Sequence, residues 1–480
     1  MRLYTLLGAC VILVNSPTAV ADITVAIDAG SDRGTWDGWG TSLAWWGKVF
    51  GDRDDLADIF FTLDITQFNG VSLPGLGFSI VRYNVGACSW NSVEGQSMVV
   101  SSIILPFRQM EGYWIDSTSD DPTSSSWDWS VDSNQRQLLR NAIDRGANRT
   151  ELFSNAPMWW MCKNNNPSGA EDGGENLQSS HLEDHAVYMA EVAKYFKDNW
   201  DVEFESVDPF NEPLANWWTA NGKQEGCHFD IPTQATIIGY LDTHLQSRGL
   251  STYISASDES LYDQAVTNLQ SIGSDALSKV HRVNVHGYQQ GGGRRDTLRS
   301  LATELGKVLW NSEYGDDDGS GKNLVSNLML DFRWLLPTAW AYWQALDHDG
   351  WGLIDADVDI GSIVGVNQKY FVLAQFARHI RPGMRILDGG GDNVVAVYDA
   401  GNQKLVIVAV NWDAAQVITF ELSGFSQLPA DASPVTRWQT QIPSGDQYVE
   451  YADTTVSGTQ VRSYFESNTV QTFEVSGVQL

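Results

Sequence analysis

The chain has 480 residues, 42% of them hydrophobic, and a formal net charge of −30. Length and apolar content allow a large core and exclude a disordered or fibrous chain. The acidic balance excludes nucleic acid as an expected partner.

The first residues, MRLYTLLGACVILVNSPTAVA, join basic Arg2 to an apolar run from Leu3 to Val14 and small residues at Ala19 and Ala21. This is the pattern of a secretory signal peptide over 1–21, cleaved after Ala21. A membrane anchor needs ~20 apolar residues, and this run is shorter. A secreted, extracellular protein with no membrane partner is therefore expected. Cleavage removes one of the 30 basic residues and no acid, leaving 29 against 60 acidic, or −31.

Cys88, Cys162 and Cys227 remain, without a CxxC spacing, which excludes zinc-finger and redox-motif readings. In an oxidising compartment one pair can close, with Cys162 to Cys227 the first expectation and one thiol left buried. Asn148-Arg149-Thr150 is a candidate glycan site.

Residues 22–35 contain a strand, ITVAIDAGSD, expected to join the C-terminal module rather than the α/β region that begins at Trp36. From Trp36, strand-like runs alternate with helical periodicity. The strand candidates are GWGTSLAWW (38–46), LGFSIVRYNVG (76–86), TELFSNAPMWW (150–160), FESVDPFNEP (204–213), TYISASDE (252–259), VHRVNVHGY (280–288), KVLWNSEYG (307–315) and TAWAYWQAL (338–346). Most are apolar at the start and polar or aromatic at the end. Between them, segments such as NQRQLLRNAIDRG and TQATIIGYLDTHLQSRG carry core-facing helical spacing and end in Gly. Eight such alternations predict an α/β fold, a (β/α)8 TIM barrel over 36–383, because buried parallel strands read as apolar runs and each needs a crossover helix. After Pro382 the helical period vanishes, and 384–480 reads as an all-β sandwich side domain.

Reacting groups of such a barrel belong at the C-terminal strand ends. The fourth run ends in Asn211-Glu212 and the seventh in Glu313. Two rim carboxylates suit glycoside hydrolysis, one as a neutral acid for the leaving oxygen and one to meet the anomeric carbon. Arg82 and Tyr288, ending the second and sixth runs, are placed to reach Glu313 and keep it ionised, which marks it as nucleophile. Glu212, beside Pro213 and near Trp217 and Trp218, then suits the proton donor, with Asn211 holding a sugar hydroxyl.

Many of the 20 tryptophans fall at or beyond strand ends, among them Trp46, Trp159 and Trp343. Flat rings with an edge N–H suit sugar faces, with one ring of each tandem pair expected to plug the barrel. HLEDH (181–185) matches no zinc pattern and reads as a solvated helix face. DADVDIGS and YGDDDGSG resemble calcium loops, but the first lacks the Gly at the sixth position and the acid at the twelfth. No metal or cofactor is expected.

DPFNEP with WNSEYGD, and VRYNVG, HGY and AYWQ at other strand ends, resemble the clan of retaining (β/α)8 glycosidases. More narrowly, DGWGTSLAWW, LPGLGFSIVRYNVGACSWN, ELFSNAPMWWMC, NPSGAEDGGENLQ and QEGCHFDIPTQ resemble family 30 of the glycoside hydrolases, in its endo-β-1,6-galactanase branch. The resemblance spans essentially the whole chain after the signal peptide. It implies a barrel fused to a β-sandwich that includes an N-terminal strand. It also implies double displacement with Glu212 as acid/base and Glu313 as nucleophile, and a cleaved-sugar subsite lined by Arg82, Asn211, Tyr288 and Trp343. Trp46, Trp159 and His286 of HGY complete the candidate sugar site. The implied substrate is β-1,6-galactan, such as side chains of arabinogalactan proteins, and a monomer is expected. A β-1,6-glucanase or glucuronoxylan hydrolase of the same family, or a carbohydrate-binding protein that does not turn over, are the alternatives.

Overall fold

A computed structural model describes residues 22–480, and the expected signal peptide lies outside the described residues. Eight parallel strands close into a barrel: Gly38–Ser42, Ile80–Asn84, Arg149–Phe153, Ser206–Asp208, Tyr253–Glu259, Val280–His286, Val308–Tyr314 and Ala339–Gln344, barrel strands one to eight in chain order. Nearly all their residues are buried, as strands covered by helices outside and packed side chains inside must be. The helix Ser133–Asp144 shows how the cover is built: Leu138, Leu139 and Ala142 turn inward and charged residues such as Arg136 and Asp144 stay out.

The observed strands are shorter than the expected runs. The fourth spans Ser206–Asp208 where the sequence suggests 204–213, and the third stops at Phe153 where it suggests 160. The residues past those points are apolar enough to read as strand, but they leave the sheet and turn over the rim. Asn211 and Glu212 therefore sit in a turn rather than on a strand.

The barrel interior is polar for most of its height. Alternation points Arg82, Glu151, Ser206, Ser255, Arg282 and Asn284 inward, and all are buried. Glu151 accepts from Arg82 Nε at 2.9 Å, Asn284 Nδ2 at 2.9 Å, Ser206 Oγ at 3.0 Å and Ser255 Oγ at 2.8 Å, and it also pairs with Arg282. Burial opposes ionisation of Glu151, but Arg282 and Arg82 outweigh it and hold the carboxyl below its ordinary range. The Arg282 guanidinium lies 3.4 Å from the centroid of the Trp310 ring.

Nine strands form the second module, with the N-terminal Ile23–Ala26 running parallel to Gln416–Glu421 at one edge. The long strand Val449–Ser457 bends between the two faces, pairing with Pro434–Gln441 on one and Gln460–Phe465 on the other. Val25, Ile27, Leu405, Phe420 and Phe473 fill the space between them. The last barrel helix, Gln368–Ala377, is buried along its whole length because it meets the barrel on one side and this module on the other. Gln375 and Phe371 anchor it through hydrogen bonds to Thr440 and Thr472.

All three described cysteines are buried and free. The expected Cys162–Cys227 disulfide is therefore absent; Cys88 Sγ instead lies 3.0 Å from buried Glu225, and burial pushes the Cys227 thiol up to about 12. Asn148 of the candidate glycan site is exposed.

Candidate active site

Glu313 stands at the C-terminal end of barrel strand seven, where the ladder to strand six slips by one residue. Ser312 already faces inward, so strict alternation would send Glu313 outward. The slip re-aims it into the barrel mouth. There Arg82 Nη1 donates to Oε2 at 2.8 Å and the Tyr288 hydroxyl donates to Oε1 at 2.8 Å. Two donors on two oxygens fix the plane of the carboxylate.

Glu212 reaches the same place from the turn after strand four. Its backbone is left-handed, with φ of 49°, a conformation costly for a long side chain. Three hydrogen bonds compensate: its N–H donates to the Asp258 carbonyl at 2.8 Å, and its own carbonyl accepts from Ala215 N–H and from Trp218 Nε1, each at 3.0 Å.

His286, fully buried, lies between the two carboxylates. Its Nδ1 is 3.2 Å from Glu212 Oε1 and 3.4 Å from Glu313 Oε1, and its Nε2 is 3.4 Å from Asp258 Oδ1. Burial works against a charged ring, but Glu313, Asp258 and Glu212 overcome it and raise His286 to about 10. One donor atom each from Glu212, His286 and Glu313 lies within 4.8 Å of the others, a spacing that a cation could use. The same closeness suits proton sharing, since an imidazole nitrogen between two carboxylates can donate to either.

The electrostatics differ from the sequence expectation at one point. Arg82 and Tyr288 do reach Glu313, yet burial raises its pKa, and His286 and Arg82 only partly restore it. Arg82 is shared: its three nitrogens serve Glu151, Glu313 and Asp258.

Four of the expected sugar-binding residues lie elsewhere than at a sugar surface. Arg82 is fully buried with its guanidinium taken by carboxylates, so it holds Glu313 and not a hydroxyl. Trp46 and Trp159 are fully buried, with Nε1 donating to the Ser42 carbonyl and to Ser89 Oγ. Both members of each of these tandem pairs are core, because Trp45 and Trp160 are buried too. His286 lies beneath the carboxylates. Asn211 and Trp343 are buried at the rim, Tyr288 is half-buried, and Asn211 Oδ1 has no protein partner among the described residues. The exposed rings near the rim are Trp217, 46% exposed in the loop after strand four, and Trp90, 61% exposed in the loop after strand two.

Sequence reasoning missed Asp258, whose side chain meets Arg82, Ser312 and His286. The available signal was TYISASDE, a strand too rich in Ser and Asp to be buried on both faces without partners. The decoys also resolve. Asp316 pairs with buried Lys369 at 3.0 Å, and Asp318 accepts backbone N–H bonds from Ser320 and Asn323 at a helix start. In HLEDH, His181 pairs with Asp184, but His185 is buried against the Pro209 carbonyl and lowered by that burial to about 4. A cavity of about 440 Å³ between barrel and sandwich is lined by Arg378, His379, Trp438, Tyr448 and Glu474. There His379 bonds Glu474 through one ring nitrogen and the Tyr448 hydroxyl through the other.

Comparison with known proteins gives a concordant set. A sequence model described as O-glycosyl hydrolase family 30 matches residues 22–289. The chain is 56% identical to an endo-β-1,6-galactanase of Hypocrea rufa, over 97% of both chains. Among solved structures, the catalytic domain of a family 30 xylanase C from Talaromyces cellulolyticus aligns with a TM-score of 0.69 at 19% identity, over 95% of this chain and 100% of that one. A family 30 subfamily 8 xylanase from Clostridium acetobutylicum aligns with a TM-score of 0.68 at 18% identity, over 95% and 99%. These two likenesses concern the fold.

Proposed function

The chain belongs to family 30 of the O-glycosyl hydrolases, and from that premise we propose that it is a secreted endo-β-1,6-galactanase that cleaves with retention of configuration. The observation that carries the mechanism is the approach of Glu212 and Glu313, with an oxygen of each within 4.8 Å. Retaining glycosidases place their carboxyl groups ~5–5.5 Å apart and inverting ones ~6.5–9.5 Å, leaving room for water. Glu212 gives its proton to the glycosidic oxygen while a Glu313 oxygen attacks the anomeric carbon, forming a glycosyl-enzyme and releasing the leaving sugar. Glu212 then takes a proton from water, whose oxygen displaces Glu313. Arg82 and Tyr288 hold the nucleophile in plane throughout.

The substrate reading rests on the Hypocrea rufa galactanase, and the extracellular site of action on residues 1–21 as a signal peptide. Among the described residues no helix is long and apolar enough to cross a membrane. We read the enzyme as a monomer acting on polysaccharide alone. The test is a panel of β-1,6-galactan, β-1,3-galactan, β-1,6-glucan and glucuronoxylan, with the anomeric form of the first product followed by NMR. Cleavage of β-1,6-galactan with a β-anomeric product is expected. Cleavage of only glucan or xylan would overturn the substrate, and an α-anomeric product the mechanism.

A further inference from the structure

Asp258 stands where strict alternation would exclude it. Ser255 of the same strand faces inward onto Glu151, so Ser257 would follow inward and Asp258 outward. The ladder between strands five and six slips between Ser257 and Glu259, and Asp258 takes a left-handed φ of 55° that turns its carboxylate into the barrel. It is fully buried. One oxygen meets Arg82 Nη2; the other accepts from Ser312 Oγ and faces His286 Nε2 at 3.4 Å. Its main-chain carbonyl accepts the Glu212 N–H at 2.8 Å.

Asp258 thus bears on both halves of the carboxylate pair. Through its backbone it braces the left-handed turn that presents Glu212. Through its side chain it orients Arg82, Ser312 and His286, the neighbours of Glu313. We infer that Asp258 is a positioning residue that sets the separation and alignment of the two carboxylates, an inference that rests on Glu212 and Glu313 being the catalytic pair. It touches no substrate atom and reacts with nothing. Its charged and titratable surroundings are Arg82 from strand two, Glu151 from strand three, Asp208 from strand four, and His286 and Glu313 from strands six and seven. In that setting it supplies a negative charge that helps keep His286 protonated.

The test is Asp258→Asn, which keeps shape and removes charge, measured on the glycan the wild type cleaves, with Glu313→Ala alongside. A misplacement of ~1 Å costs on the order of 10²-fold, so kcat is expected to fall by about that factor while KM changes less than about threefold. The alkaline limb of the kcat/KM profile moves to lower pH, because removing a negative charge makes every neighbouring proton easier to lose. A purely structural role would lower the yield or the melting temperature and leave kcat per folded molecule and the pH limb in place. That outcome overturns the inference. Should Asp258→Asn not accumulate as folded protein, Ser312→Ala carries the test: a fall of about tenfold in kcat at constant KM supports the role, and kcat within twofold of wild type refutes it. A Glu313→Ala variant that remains active defeats the nucleophile assignment instead, whatever Asp258 does.

Discussion

Replacing Arg82 with methionine isolates the electrostatic keystone of the barrel. The side chain is fully buried and holds Glu151, Asp258 and Glu313 at once. In Arg82→Met, Glu151 keeps Arg282, but Asp258 and Glu313 are left with His286 as their one shared cation. Breaking a buried ion pair by removing one partner costs about 3–5 kcal/mol. At roughly 2 °C per kcal/mol for a large domain, that lowers the melting temperature by about 6–10 °C. The deficit depends on pH in a defined direction. In the wild type burial works against an ionised Asp258, yet Arg82 chiefly holds its pKa down at about 2. Its folded pKa is below the unfolded one, so its contribution is present above the unfolded pKa of ~3.9 and lost as pH falls toward 2. In the variant burial prevails and the folded pKa rises above the unfolded one, so the penalty is absent at low pH and grows toward neutrality. Urea midpoints at pH 7 and pH 4 read both effects. A gap between variant and wild type that is widest at pH 7 and shrinks at pH 4 is expected. A gap independent of pH, or one under about 1 kcal/mol at pH 7, would refute the reasoning.

Tyr288→Phe removes one of the two hydrogen bonds that fix Glu313, and kcat should fall about tenfold with the fold intact, as net hydrogen bonds to charged groups are worth about 1.5–3 kcal/mol; unchanged steady-state kinetics would deny Tyr288 that role. Gly226→Ala places a Cβ 2.2 Å from the Trp218 ring, whose Nε1 braces the Glu212 carbonyl. Overpacking of this kind costs about 1–3 kcal/mol, and a drop in kcat larger than that of a distant Gly306→Ala control is the expected sign that the brace has moved. Thiol titration of the chain from residue 22 should count three cysteines in denaturant and none in the native protein, with no change in melting temperature on adding reductant; a reductant-dependent loss of stability would restore the disulfide.

The barrel was legible because its signal is repeated and local: buried strands are apolar on both faces, and helices between them keep their own period. The two rim glutamates, Glu212 and Glu313, were legible for a related reason, since a carboxylate at the end of an apolar run is costly to bury and must be held by something. Arg82 and Tyr288 were also readable as neighbours of Glu313, because their strand ends share its rim. Other features required the assembled barrel. Trp46 and Trp159 look in sequence like sugar platforms, but whether a ring at a strand end faces the cleft or the core depends on where the backbone turns after the sheet. Asp258 and Glu313 face inward because the ladder slips beside each, a change of register that no alternation pattern in one strand encodes. The upward shift of Glu313 comes from burial that only the assembled barrel supplies, with His286 and Arg82 restoring part of it. Sequence alone determined the barrel and the strand ends that carry Arg82, Glu212, Tyr288 and Glu313. Only the tertiary structure decided which of them touch, because contact there is set by pairing register and by distances between residues on different strands, as between Arg82 and Glu313.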